Sequence, residues 1–302
     1  MKREVLIICP SWEERSWLGF EQDLKKSNVK FVIIIKKTNS VNSREVSEQI
    51  MKIECYCSDS NISYKELFWT ENPNNDWMEL QKIAKEIFSK AKIMLDITTM
   101  PRNIIWTILF FAIKMSKDEI NITYYQPAEY NDTWLSKEPL SPKFLLKHSG
   151  LMEIGKPTCT VIITGFDTER TKQIVTKFEP QKVVLLIQTG NQFDNEKRNA
   201  GNLQRDALKE MGKIDVTCHN VDFYRSDFGG NSILEILDTL KGYNVILASI
   251  GPKTSAIGAY KAYVNNPAVA LCYVPCREYN VNYCKGIGKS LNYTLKFLRD
   301  DA

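Results

Sequence analysis

Two segments that share a chemical pattern are the strongest candidates for a functional site. Each follows a hydrophobic stretch and contains hydroxyl groups, a proline and then a cation. The segments are Thr98-Thr99-Met100-Pro101-Arg102-Asn103 and Ser249-Ile250-Gly251-Pro252-Lys253-Thr254-Ser255. Proline suits the first position of a helix, where its missing N–H costs nothing. Because backbone N–H groups and a cation at the positive end of a helix attract anions, both segments predict contact with a negatively charged ligand.

Two other turns carry weaker candidates. The stretch at 5–8 leads into Ser11, Trp12, Glu14 and Arg15, and the stretch at 161–164 leads into Thr168, Glu169 and Arg170. Charged pairs in a first helical turn are most often surface residues, so ligand contact and a surface role both stay open here. A similar alternative applies to the stronger segments, whose hydroxyl groups also suit helix N-caps beside a solvated cation.

Several kinds of chemistry lack the residues they need. The sequence contains two histidines, His148 and His219, so neither a histidine-based catalytic triad nor a multi-histidine metal site is expected. The eight cysteines include no C-x-x-C pair, and we predict no metal ion. A Walker-type loop is absent, and no G-x-G-x-x-G turn follows the first strand of either half, so no nucleotide cofactor is expected.

The elements that must position these residues occur twice along the chain. Five blocks match in the same order: 5–8 with 161–164, 31–35 with 183–187, 52–57 with 213–218, 93–102 with 245–253, and 125–131 with 273–280. Between them, apolar residues recur at spacings of three and four, as from Trp77 to Ile87 and from Ile233 to Leu240. Short strands that alternate with such helices predict parallel sheets covered on both faces. The predicted fold class is α/β, with two tandem Rossmann-like doubly wound parallel-sheet domains related by internal duplication.

The repeat sets the predicted domain boundaries. The first domain covers residues 1–150, of which 132–150 form a connection, and the second covers 151–302. A helix over Ser290–Leu298 is expected to close the second domain. In such sheets ligands bind at the carboxyl ends of the strands where strand order reverses, so the two kinds of turn should flank one site. Cys57 and Cys218 stand at corresponding strand positions, which favours burial.

Composition indicates a soluble cytoplasmic protein. Of the 302 residues, 43% are hydrophobic and 25% are charged, which is typical of a globular protein. The net charge of +4 permits an anionic ligand but falls short of the dense basic face of a nucleic-acid binder. The longest apolar run, Ile104–Ile113, is too short to cross a membrane and predicts a buried helix. Eight cysteines fit a reducing cytosol.

The two strongest segments resemble the strand-four turns of the CRISPR-associated Rossmann fold (CARF) family and of its fused two-copy relatives, the SAVED domains. The resemblance is carried by residues 98–103 and 249–254. The sequence departs from the family pattern because a proline precedes the cation and Met100 stands where a glycine is expected. The resemblance implies that the protein binds a cyclic oligonucleotide second messenger.

We therefore expect a binding module whose two halves direct their strand-end loops at one composite cleft for an anionic, nucleotide-like ligand. The resemblance implies a sensor in prokaryotic antiviral defence that acts through a separate effector protein or through oligomerisation. Two alternatives stay open. One is a metal-independent enzyme that cleaves the same ligand, and the other is a scaffold with an inactive site. For cleavage, positioning and charge stabilisation would come from Ser11, Thr99, Arg102, Ser249 and Lys253.

Overall fold

The computed structural model describes residues 3–115, 119–131, 133–189, 198–209, 211–212 and 214–296. The chain divides into two compact units. Unit 1 comprises Met1–Asp132 and Val281–Ala302, and unit 2 comprises Thr133–Asn280. Unit 2 is therefore one continuous segment, whereas unit 1 is assembled from two separate segments.

Unit 1 alternates strands and helices along its first segment. Its elements are β1 (Arg3–Ile8), α1 (Arg15–Lys26), β2 (Phe31–Lys37), α2 (Ser43–Asp59), β3 (Ser63–Trp69), α3 (Pro73–Ile83), β4 (Ala91–Asp96), α4 (Arg102–Lys114), β5 (Glu119–Tyr125) and the short β6 (Glu129–Tyr130). A π-helical stretch, Ala84–Phe88, continues α3. The start of α3 shows why the chain turns into a helix there, because the Asn72 side chain accepts hydrogen bonds from two N–H groups of the first turn.

Unit 2 opens with two short strands and then repeats the alternation. Its elements are β7 (Ser136–Pro139), β8 (Lys143–Phe144), β9 (Thr158–Ile163), α5 (Thr168–Phe178), β10 (Lys182–Gln188), α6 (Gly201–Lys209), β11 (Asp215–Val221), α7 (Gly230–Asp238), β12 (Asn244–Ser249), α8 (Thr254–Asn265), β13 (Ala270–Tyr273) and β14 (Cys276–Tyr279). The chain then returns to unit 1 with β15 (Cys284–Lys285) and β16 (Ser290–Lys296).

Each unit contains a six-stranded sheet, and the two sheets have the same strand order. The order is β3-β2-β1-β4-β5-β16 in unit 1 and β11-β10-β9-β12-β13-β8 in unit 2. The first five strands of each sheet pair in parallel, and the last strand pairs antiparallel. This confirms the predicted α/β class with two tandem Rossmann-like units. The antiparallel edge strands were not part of the prediction.

The buried core follows the apolar runs of the sequence. Ile33 in β2 and Leu185 in β10 lie on interior strands of their sheets and have no exposed surface. Residues 104–109 of α4 are all buried, so the predicted buried helix is confirmed. Among the residues that the structure describes, no helix combines the length and the apolar character needed to span a membrane.

The predicted strand at 52–57 is wrong. This segment lies in α2, and the third strand begins at Ser63 instead. Ile53 and Cys57 are buried on the same face of the helix, four residues apart. Over six residues, an apolar pattern fits a helix and a strand almost equally well, which explains the error. The supposed match of Cys57 with Cys218 fails for the same reason, because Cys218 does lie in a strand.

The predicted closing helix at Ser290–Leu298 is also wrong. The described part of this segment is β16, in which Leu291 and Leu295 are buried while Asn292 and Thr294 are exposed. This alternation is the period of a half-buried edge strand, and Phe297 and Leu298 lie outside the described residues.

The strand pairings assign the two segments at the predicted domain boundaries to the opposite unit from the one predicted. Residues 133–150, predicted as part of the first domain, pack in unit 2, where β7 pairs with β14 and β8 pairs with β13. Residues from 281 onward, predicted as part of the second domain, belong to unit 1, where β15 pairs with β6 and β16 pairs with β5. Short β-bridges between distant segments leave no periodic signal in a sequence, so the prediction had no means of finding them.

Candidate functional site

The predicted site residues follow the strands that flank the reversal of strand order. In unit 1 the chain leaves β1 on one side towards β2 and β3, and it returns to the other side of β1 with β4. The turns at 9–14 and 97–101 therefore leave neighbouring strands at their carboxyl ends, where doubly wound sheets bind ligands. In unit 2 the turns at 164–167 and 250–253 have the same position relative to β9 and β12.

A chain of hydroxyl groups joins the two turns of unit 1. The Ser11 N–H donates to Ser16 Oγ (2.9 Å), and Ser16 Oγ donates to Thr99 Oγ1 (3.1 Å). Thr99 Oγ1 donates in turn to the Cys9 carbonyl (2.9 Å). The structure thus brings Ser11 and Thr99 together through Ser16, a residue that the sequence did not single out. Trp12 is half-buried in the same turn.

A buried carboxylate lies directly beneath the second turn of unit 1. Asp96 is the last residue of β4, is 5% exposed, and its Oδ1 accepts a hydrogen bond from the Thr98 N–H (2.8 Å). Burial raises the pKa of Asp96 to about 6, although the bonds from Thr98 and the charge of Arg15 act in the opposite direction. When Asp96 is ionised, it places a negative charge beneath the turn that was predicted to bind a negatively charged ligand.

A second buried carboxylate accompanies the first. Asp23 of α1 is 1% exposed, and it accepts hydrogen bonds from the hydroxyl groups of Tyr125 (2.7 Å) and Thr123 (3.1 Å). Burial, followed by the charge of Asp96, raises the pKa of Asp23 to about 7. Sequence reasoning missed both acids. A signal was present at Asp96, an acidic residue that ends an apolar strand.

The cation of unit 1 stands at the start of α4. Arg102 is the first residue of the helix, Asn103 is the second, and both side chains are half-buried. Pro101 occupies the N-cap position, one residue earlier than predicted. Met100 is fully buried and therefore belongs to the core rather than to the surface of the turn. The prediction of ligand contact at Thr98 is weakened because that residue has no exposed surface and its N–H is bonded to Asp96.

The corresponding turn of unit 2 carries a cation but no acidic residue, and it is tightly packed. Ser249 Oγ lies 2.9 Å from Ser255 Oγ, and Ser255 Oγ donates to the Pro252 carbonyl (2.7 Å). Lys253 is the N-cap residue of α8 and is half-buried. Pro252 therefore lies before the helix, whereas it was predicted at the first helical position. At Gly165 in the neighbouring turn, a Cβ atom would lie 2.4 Å from the Ile250 carbonyl oxygen. The two turns approach each other at backbone distance, which only glycine permits.

One buried hydroxyl group at the start of α8 is unsatisfied. Thr254 has no exposed surface, and its Oγ1 has no hydrogen-bond partner among the residues that the structure describes. Buried polar atoms are nearly always paired, and exceptions tend to mark strain or a functional position. Gly251, which is half-buried, completes the group of predicted site residues in this turn.

Arg15 and Arg170 hold the fold together instead of pointing into solvent. Arg15 is 3% exposed and donates to Glu13 (3.0 Å), to the Tyr125 carbonyl (2.7 Å) and to the Tyr283 hydroxyl (3.2 Å). Arg170 is likewise buried and donates to Asp167 (3.0 Å) and to Ser136 Oγ (2.7 Å). Each arginine thus ties the first helix of its unit to a segment distant in sequence. The surface interpretation is therefore wrong for both arginines.

Their acidic neighbours do lie on the surface. Glu14 is exposed and accepts a hydrogen bond from the Gly286 N–H (3.2 Å), and Glu169 is exposed and pairs with Lys172 (3.1 Å). Thr168, the remaining candidate of this turn, is the first residue of α5 and is half-buried. The structure therefore separates each predicted Glu-Arg pair into an exposed acid and a buried cation.

The structure contains no obvious metal centre within its described residues. No group of three or more His, Cys, Asp and Glu side chains converges in that part of the chain. All eight cysteines are described and carry free thiols. His148 is buried between the Leu146 carbonyl (2.8 Å) and the Tyr260 hydroxyl (3.3 Å), which is the environment of a packing residue.

A groove of about 530 Å³ lies on unit 1, away from the turns. Its lining includes Glu4 and Lys92 from the first residues of β1 and β4, Asp23 and Lys26 from α1, and Asn292 from β16. Ligands of doubly wound sheets bind at the opposite ends of the strands. We therefore interpret the groove as sheet surface that α1 leaves uncovered.

Comparison with known proteins bears on the fold. No protein-family model and no curated protein sequence matches the chain. Among solved structures, the chain is similar to a type III CRISPR defence DNA nuclease activated by cyclic oligoadenylate, with a TM-score of 0.54 and 7% sequence identity. The match covers 86% of this chain and 64% of the nuclease, so the chain spans less than two thirds of that protein's length.

Two weaker structural similarities carry no argument. The cytoplasmic domain of a prokaryotic cation chloride cotransporter aligns with a TM-score of 0.29 at 7% identity, over 93% of this chain and 99% of that one. An N-terminal ketoreductase from the macrolactin assembly line aligns with a TM-score of 0.28 at 11% identity, over 89% and 69%. The similarity to the nuclease concerns the fold alone.

Proposed function

We propose that this protein binds an anionic, nucleotide-like ligand at its strand-four turns and acts as a sensor in prokaryotic antiviral defence. The observation that carries the proposal is a repeated arrangement. In both units, a hydroxyl-rich turn and a cation, Arg102 or Lys253, stand at the start of the helix that follows the strand beside the reversal of strand order. The shared strand order also supports the proposal that the two units arose by internal duplication.

The chemistry of the turns favours a phosphodiester ligand. A helix start attracts phosphate through its N–H groups and its partial positive charge, and a nearby cation adds charge-assisted hydrogen bonds. Arg102 offers a planar fork that can bind two phosphate oxygens, whereas Lys253 offers a point charge. The net charge of +4 fits a small anion better than a long nucleic acid. The fold similarity to a nuclease activated by cyclic oligoadenylate makes that class the first probe to use.

A response to the ligand requires an output. We propose that this output comes from a separate effector protein or from oligomerisation. The shared composite cleft remains a prediction, and so does a cytoplasmic location.

Binding experiments test the proposal directly. Cyclic oligoadenylates of several ring sizes, and linear oligoadenylates of matched length, are titrated into the whole chain by calorimetry. Arg102→Ala and Lys253→Ala should each weaken binding of the preferred ring. Arg44→Ala in α2 and Lys241→Ala in the turn after α7 remove the same charge from exposed positions. The two side chains are 87% and 79% exposed. They serve as matched controls and should leave the affinity within about two-fold.

Three outcomes would contradict the proposal or change it. Equal weakening by the controls would show that only net charge matters. The absence of binding to any ring would remove the proposed function. If chromatography of the incubated mixture shows linear products without added metal, the protein cleaves the ligand, and the enzyme alternative replaces the sensor.

A further inference from the structure

The two units differ on the face of the sheet that their first helix covers. In unit 1, β4 ends in Asp96, whose carboxyl lies beside Gly19 of α1. In unit 2, Ala248 and Ile250 lie on the face covered by α5, in the hydrophobic core, and Ser249 lies on the other face beside Ser255 of α8. A carboxylate thus lies beneath the turn of unit 1, whereas apolar side chains occupy that face in unit 2.

The carboxylate is bonded to the turn itself. Asp96 Oδ1 accepts from the Thr98 N–H (2.8 Å), and Thr98 Oγ1 accepts from the Tyr125 N–H (3.0 Å). At Gly19 of α1, a Cβ atom would lie 2.8 Å from the Tyr125 ring and 3.5 Å from Asp96 Oδ2. Gly19 therefore leaves the space in which the Tyr125 ring fits, and it lies in contact range of the Asp96 carboxyl.

The charged and titratable groups around this carboxyl come from three elements. Arg15 and Asp23 belong to α1, Tyr125 and its neighbour Thr123 belong to β5, and Thr98 follows β4. Arg15 is engaged by Glu13 and by the Tyr125 carbonyl, and Lys26 acts on Asp23. Asp96 and Asp23 are therefore opposed by two cations, of which Arg15 is already bonded to Glu13 and Lys26 acts on Asp23. An additional anion at the turn would face an existing negative charge.

We propose that an anion binds the turn of unit 1 together with a proton on Asp96, whereas the turn of unit 2, where the apolar Ala248 and Ile250 lie on the corresponding face, binds an anion without one. The inference rests on the proposed function and deepens it, because it assigns different chemistry to the two turns.

The linkage follows from like-charge repulsion. A bound phosphodiester disfavours the ionised form of a nearby carboxyl, so the pKa of Asp96 rises from about 6 when ligand binds. Between the pKa of free Asp96 and the higher pKa in the complex, binding takes up a proton. By linkage, the affinity of this turn falls as the pH rises through that window, by up to about ten-fold per pH unit.

The test uses calorimetry of the whole chain with cyclic oligoadenylate, whose phosphodiesters keep their charge across the pH range. Titrations at pH 6.5 in two buffers of different ionisation enthalpy count the protons taken up. A series from pH 5.5 to 8.5 gives the affinity profile. The wild type should take up a fraction of a proton and bind more weakly at pH 8 than at pH 6.

Two isosteric variants locate the proton. Asp96→Asn keeps an oxygen acceptor for the Thr98 N–H, and it should abolish the uptake and tighten binding at pH 8 by about ten-fold. Asp23→Asn is the matched control, since it removes the other buried acid but leaves Asp96 beneath the turn. It should retain proton uptake. Thermal unfolding of each variant confirms that it is folded.

The outcomes separate this inference from the proposed function. Binding without proton uptake, with the same pH profile in wild type and Asp96→Asn, overturns the inference and leaves the sensor proposal standing. Loss of uptake in Asp23→Asn but not in Asp96→Asn also overturns it, because the proton then belongs to the other acid. Failure of every ring to bind at any pH overturns the proposed function and the inference together.

Discussion

In unit 1 the sheet face covered by α1 carries Asp96 at the end of β4, and α1 itself carries Asp23. In unit 2 the face covered by α5 carries Ala248 and Ile250, and α5 carries Phe178 at the same distance past its buried arginine. Asp23 bonds to the hydroxyls of Tyr125 and Thr123, whereas Phe178 stacks on Phe144 and packs against the hydrophobic core. One strand order therefore accommodates either a polar, titratable interior or an apolar one beneath the same turn.

The difference teaches which features belong to the fold and which are particular to a unit. The buried arginine after the first strand occurs in both units and bonds to the unit's own segments, so it belongs to the fold. The buried acids occur in one unit and cost stability, because carboxylates removed from water lose hydration that only strong partners replace. Their position beneath a predicted anion site is the reason to look for a role in binding.

The largest expected effect tests the shared feature. Arg15→Ala would leave Glu13, a buried acid, without its cation, and should lower the free energy of unfolding by about 3–5 kcal/mol. Arg170→Ala should cost less, because its partner Asp167 keeps some contact with water. Urea unfolding measures both. Glu14→Ala and Glu169→Ala, at the exposed neighbouring positions, should stay within about 0.5 kcal/mol. Small losses for both arginines would mean that they do not anchor the fold.

The next effect tests the buried acids of unit 1. The pKa of Asp23 is raised to about 7, so its burial costs nothing at low pH, and the cost appears as the pH rises through the range between its ordinary value and 7. Asp23→Asn should therefore stabilise the protein at pH 8 by about 2–4 kcal/mol and by much less at pH 5.

The measurement is the unfolding free energy of wild type and variant across pH 5–8. Asp238→Asn, at an exposed position in unit 2, is the control and should give a pH-independent difference near zero. A constant difference between wild type and Asp23→Asn would show that Asp23 does not titrate in this range.

A third prediction compares the two cations. Arg102→Ala and Lys253→Ala should each weaken ligand binding by about 1.5–3 kcal/mol, because each removes charge-assisted hydrogen bonds. At pH 8, where Asp96 is ionised, the Lys253→Ala loss should be the larger, and at pH 5.5 the two losses should converge. Calorimetric affinities at the two pH values check this. If one variant alone weakens binding at both pH values, the ligand uses a single unit.

The smallest expected effect is that of salt. A ligand held by two cations should lose about two- to four-fold in affinity when NaCl is doubled from about 100 mM. Arg102→Ala should show a shallower slope than wild type, as should Lys253→Ala. An unchanged slope in both variants would place the phosphate contacts elsewhere.

Much of the fold could be predicted because its signals are local. Runs such as 31–35 and 183–187 are apolar throughout because their strands are buried on both faces, and the helices between them keep a period of three to four. The turns at 98–103 and 249–255 could be located for the same reason, since they follow such strands directly. The chemistry of their cations and hydroxyls was visible residue by residue.

The rest depends on contacts between distant residues. Asp23 is an ordinary charged residue of an amphipathic helix until Tyr125 and Thr123 cover it. Arg15 looked like half of a surface ion pair because its partners Tyr125 and Tyr283 lie far along the chain. Cys57 was misplaced because six residues are too few to distinguish a helix from a strand.

The return of the chain to unit 1 also bears on how the nascent protein folds. Unit 2 is a single insertion between β6 and β15, and its strands pair only with one another, so its contacts can form while the ribosome is still making the rest. Until β16 emerges, the outer edge of β5 is an open template for other strands, and Arg15 lacks Tyr283. The first unit to be synthesised is therefore the last to be completed, and its exposed edge is where aggregation would begin during slow translation.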